Sequence, residues 1–120
     1  MSFRGGGYST FQNNTATSDG GVLSSVLDLA VTVDTHASVH DNSAILKGGA
    51  FYSGSHMQLL AKDSATLESN FANQGGVVYS VGAVELSLID QAQAAQNSAK
   101  QGGLLTQGVA FANAGCHSIC

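Results

Sequence analysis

At 120 residues the chain is one domain's worth of protein, 43% apolar, with no proline and no tryptophan. Only 10% of it is charged, the formal net charge is −4 and four side chains are basic, so it has no electrostatic footprint for nucleic acid or an anionic membrane. No apolar run approaches the roughly 20 residues that span a bilayer, and no basic start followed by an apolar stretch marks a secretory signal.

The first residues run at once into Gly5-Gly6-Gly7-Tyr8, which reads as the tail of an earlier repeat and points to a segment of a longer protein. Phe11-Gln12-Asn13-Asn14-Thr15-Ala16 follows, then Gly20-Gly21-Val22-Leu23. The pattern returns as Val39-His40-Asp41-Asn42-Ser43-Ala44 before Gly48-Gly49-Ala50-Phe51-Tyr52. It returns again as Leu67-Glu68-Ser69-Asn70-Phe71-Ala72 before Gly75-Gly76-Val77-Val78-Tyr79, and as Ala94-Ala95-Gln96-Asn97-Ser98-Ala99 before Gly102-Gly103-Leu104-Leu105. Each unit is apolar-x-x-Asn-x-Ala, a gap of three or two residues, Gly-Gly and a short apolar run. The asparagines lie 28, 28 and 27 residues apart. A fixed period of this length is the signature of a solenoid.

The glycine pairs interrupt every window long enough for a helical repeat, whereas Leu27-Asp28-Leu29-Ala30-Val31-Thr32-Val33 alternates as a strand with one buried face does. The spacing therefore predicts an all-β parallel β-helix of about four rungs, with repeat units near 5–20, 21–48, 49–75, 76–102 and 103–120. Three strands per rung are expected: the alternating one, one ending at the Asn, and one through Gly-Gly. Inward columns would be Leu29, Leu59, Leu86 and Phe111, and Phe11, Val39, Leu67 and Ala94; outward ones would be Asp28, Gln58 and Glu85, and Thr32, Lys62 and Ile89. Asn14, Asn42, Asn70 and Asn97 would form a ladder, since a carboxamide both donates and accepts and can satisfy buried turn groups. Gly21, Gly49, Gly76 and Gly103 would mark a bend or a close approach of neighbouring chain.

The pairing of an F-x-x-N element with G-G-A-(I/F)-Y resembles the repeats of chlamydial-type polymorphic outer membrane proteins, over roughly residues 5–105. Gly48-Gly49-Ala50-Phe51-Tyr52 and Phe11-Gln12-Asn13-Asn14 carry the resemblance; Val39, Leu67 and Ala94 depart from its Phe, and Val77 and Leu104 from its Ala. The resemblance implies that the β-helix is right-handed and sits at the cell surface or outside the cell.

Asp34, Asp63 and Asp90 follow their glycine pairs by 13 to 14 residues and are expected to form a column. Stacked carboxylates on adjacent rungs could hold calcium or do acid–base work; the alternative is that each opens a turn by bonding its own backbone. No other cofactor is implied. His36 and His40 share a strand face about 13 Å apart, too far to chelate one ion. Cys116 and Cys120 end the chain, suited to a disulfide within the tail, to closing the end of the stack, or to a partner cysteine elsewhere. The functional expectation is a structural or adhesin-like module, non-catalytic, meeting a protein or glycan surface or neighbouring solenoid rungs through its open ends. The alternatives are a carbohydrate-active β-helix using the three acids, and a flat-face binder of an ordered surface such as ice.

Overall fold

The computed structural model describes residues 1–101, 105–106 and 109–111. Among these the chain is strand and turn, without helix, and its strands build four parallel sheets. Numbered in chain order, the first sheet stacks β1 (Ser2–Gly5), β5 (Leu29–Val33), β9 (Met57–Ala61), β13 (Val84–Leu88) and β17 (Val109–Phe111). The second stacks β2 (Thr10–Gln12), β6 (Ser38–His40), β10 (Thr66–Glu68) and β14 (Gln93–Ala95). The third stacks β3 (Thr15–Ala16), β7 (Ser43–Ala44), β11 (Phe71–Gln74) and β15 (Ser98–Gln101); the fourth stacks β4 (Leu23–Ser25), β8 (Phe51–Ser53), β12 (Val78–Ser80) and β16 (Leu105–Thr106). Each turn of chain visits the four sheets in that order and lies one strand further along, so the molecule is a parallel β-solenoid of about four turns.

Four strands per turn replace the three expected. The extra one follows the asparagine and is only two residues long in β3 and β7. Two residues cannot show alternation, which is why the pattern hid it.

Register in the first sheet corrects three columns, one inward and two outward. Leu29 pairs with Met57, and Met57 with Val84; Val31 pairs with Leu59, Leu59 with Leu86, and Leu86 with Phe111. Leu29 therefore stands two residues away from the Leu59–Leu86 column. A shift of two keeps the side chain on the same face, and Leu29, Val31, Met57, Leu59, Val84 and Leu86 are all buried. The outward columns are Ala30, Gln58 and Glu85, and Thr32, Leu60 and Ser87, in place of those built from Asp28 and Lys62. The second sheet stacks Phe11, Val39, Leu67 and Ala94 as the pattern implied. Burying one such Leu or Val is worth about 1.5–3 kcal/mol, and the fourth sheet adds Phe51 and Val78 from the other side, both at 0% exposure.

Candidate functional site: the asparagine column and the outward faces

Each ladder asparagine follows a residue in left-handed backbone: Asn13, Asp41, Ser69 and Gln96 have φ between 54° and 57°. That residue, rather than the asparagine itself, makes the corner between the second and third sheets. The corner turns Asn42 and Asn70 fully inward, both at 0% exposure.

Asn42 Oδ1 accepts from the Asn14 backbone N–H at 3.1 Å and from Asn14 Nδ2 at 2.9 Å. Asn70 Oδ1 accepts the same pair from Asn42 at 3.1 and 3.0 Å, and Asn97 Oδ1 accepts it from Asn70 at 3.0 and 3.0 Å. The second Nδ2 proton turns back to the preceding turn: Asn42 donates to Phe11 O at 2.8 Å, Asn70 to Val39 O at 3.1 Å and Asn97 to Leu67 O at 2.8 Å. Backbone N–H can only donate and backbone carbonyl can only accept, so these contacts fix which amide atom is which. At Asn42 and Asn70 both lone-pair positions and both amide protons are used.

The glycine pair divides its labour. Gly48 takes φ +64°, as do Gly20 and Gly75, so the first glycine makes the bend. The second allows the approach: a Cβ on Gly49 would collide with the Gly76 carbonyl oxygen of the next turn.

The sequence holds a second polar column, buried at Ser53 and Ser80 and half-buried at Ser25. Ser25, Ser53 and Ser80 stand in register in the fourth sheet. Ser53 Oγ donates to either of two carbonyls at its corner, Leu27 O and His56 O, each at 2.9 Å, while Ser80 Oγ donates to Ser55 O at 2.7 Å. Its signal was present, three serines 28 and 27 residues apart, but serine is common enough in turns that the step drew no notice.

The three acids do not share a column. Thr35, Asp63 and Asp90 do, each with φ near 57–60° and in step with Gly7. Asp63 Oδ2 accepts from the Thr35 backbone N–H at 3.2 Å, so this carboxylate bonds a turn, though of the neighbouring rung. Asp34 sits one place earlier, 2% exposed, paired with Arg4 Nη2 at 2.7 Å and accepting from Thr35 Oγ1 at 3.3 Å. Among the described residues no group of three or more His, Cys, Asp or Glu lies close enough to hold a metal ion. His36 stacks on Tyr8 at 4.9 Å, and His40 Nδ1 contacts Asp41 Oδ2 at 2.7 Å while its backbone pairs with Glu68. Gly103, Cys116 and Cys120 lie outside the described residues.

Most outward side chains change from turn to turn, with Tyr52 and the largely covered Tyr79 as a repeated pair. Gln58 Nε2 bonds Glu85 Oε2 at 2.9 Å, Thr66 bonds Ser38 at 3.0 Å, and Tyr52 stacks parallel to Tyr79 at 5.9 Å. Lys47 Nζ lies 4.7 Å from the centre of the Tyr79 ring.

Inward repetition and outward variety define a class: a parallel β-solenoid whose turns are held in register by an asparagine ladder. Within that class, residues 8–26 match the Chlamydia polymorphic membrane protein repeat, a stretch that contains Asn14 and the first glycine pair. No curated protein and no solved structure matches the chain.

Proposed function

We propose that the chain is an adhesin-like, non-catalytic β-solenoid segment of a surface or secreted protein, working outside the cell through its outward faces. The observation that carries this reading is the match of residues 8–26 to the Chlamydia polymorphic membrane protein repeat. It is supported by the use made of the repeated polar side chains: those of Asn42, Asn70, Ser53 and Ser80 bond neighbouring backbone or the next turn, and what varies is what faces solvent. A scaffold of constant interior and variable exterior suits recognition. The test is direct. Beads coated with the chain should bind cultured host cells above albumin-coated beads, and soluble chain should compete; equal binding of both bead types would overturn the adhesin reading.

A further inference from the structure

The step from 28 to 27 residues is spent at one place. Ser43 pairs with Phe71, and Lys47 pairs with Gln74, so three residues of the second turn face two of the third. The surplus is a bulge: Ile45 and Leu46 are 55% and 46% exposed, held by Ile45 N to Ala16 O at 3.1 Å and Leu46 N to Ser18 O at 2.8 Å. Between alanine and glycine pair the first and second turns have three residues, and the third and fourth have two. Turns one and two therefore stand proud of turns three and four.

At this step the surface forms a notch lined by Leu46, Lys47, Asn73, Gln74 and Lys100. Phe71, 45% exposed, lies on the same sheet. Two of the chain's four cations line the notch and no acid does, on a protein of net charge −4. Neither lysine belongs to an ion pair among the described residues, whereas Arg4 is tied to Asp34. The nearest acid in register with Lys47 is Asp19, on the side away from the notch. Leu46 beside two ammonium groups, that of Lys47 resting over the Tyr79 ring and neither matched by a carboxylate among the described residues, is complementary to a bulky apolar group flanked by carboxylates.

We propose that this notch receives an acidic peptide segment bearing one large apolar side chain. The step arises from a one-residue difference between turns ~4.8 Å apart, a scale that suits a single side chain. The inference rests on the interaction-module reading and names the chemistry of its partner.

A capped pentapeptide with a central leucine between glutamates is titrated into isotope-labelled chain, following backbone amide shifts. Shifts at Leu46, Asn73 and Lys100 are expected, with affinity falling about tenfold in Lys100→Glu, where one attraction becomes a repulsion. The glutamine version of the peptide should weaken similarly, and Leu46→Ser should weaken binding of both. Lys100 is exposed, so its variant should keep the parent amide spectrum. Absent shifts, shifts centred elsewhere, an unaltered affinity in Lys100→Glu, or shifts produced only by anionic lipid vesicles would each overturn the proposal. Beads that bind cells while the peptide leaves the notch untouched would remove this inference and leave the adhesin reading standing.

Discussion

Asn42 Nδ2 donates to Asn70 Oδ1 at 3.0 Å with both residues wholly buried, and the Asn42 backbone N–H shares the same oxygen at 3.1 Å. One carboxamide thus closes the side chain and the backbone of the turn before it. Neighbouring turns are coupled through groups that have no other partner to fall back on.

Asn70→Leu removes that acceptor and also the donor to Val39 O and Asn97 Oδ1. Buried orphans cost about 1–3 kcal/mol each, so the substitution should destabilise the stack by well over ~1 kcal/mol, read as a shift in the urea midpoint. A change within experimental error would mean that the ladder contributes nothing net.

The two kinds of glycine should separate on substitution. Gly7→Ala places a methyl in open space at φ +66°, costing about 1–2 kcal/mol for the left-handed backbone alone. Gly49→Ala drives a methyl into the Gly76 carbonyl and against Phe71 backbone, which cannot move aside without parting two turns. It should cost more than Gly7→Ala in the same denaturation series, and the reverse order would refute close approach as its role.

Asp28 gives the stack a pH dependence at the corner into the first sheet. The Ser55 hydroxyl first, and the His56 backbone N–H second, hold its carboxyl below the usual value of 3.8. A carboxylate whose folded pKa lies below its unfolded one contributes its stabilisation in full above the unfolded value and loses it as pH falls through the folded value. The melting temperature of wild type should exceed that of Ser55→Ala at pH 7, and the gap should close well below pH 3.8. A gap constant across that range would assign the hydroxyl a packing role instead.

Arg4→Ala strips the partner from Asp34, a carboxylate left 2% exposed. The Arg4 side chain is 72% exposed, so solvent screens part of the attraction, and a loss of about 1–3 kcal/mol is expected. Adding Asp34→Asn should recover part of it, because the neutral amide needs no cation; no recovery would place the effect in the packing of Arg4.

The solenoid, its period and its asparagine ladder were legible because stacking converts a repeat in sequence into a column in space. Asn14, Asn42, Asn70 and Asn97 fall 28, 28 and 27 residues apart, and each bonds the next along the stack. The glycines were legible for the same reason, since Gly49 meets Gly76 only when turns lie directly over one another.

What tertiary structure alone decided is registration to within one or two residues and the fate of charge. Leu29 against Met57, and Asp34 beside rather than within the Asp63 column, turn on counting turns from bonded backbone and not from the nearest similar side chain. The sequence by itself determines that turns stack, because burial has a period. The gap of three residues after Ala44 and two after Ala72 already places the one-residue difference between 28 and 27 ahead of the glycine pair, but does not fix which backbone groups lose their pairing there. The stack places the difference at Ile45 and Leu46, between the Ser43–Phe71 and Lys47–Gln74 pairs and directly after the two-residue strand β7.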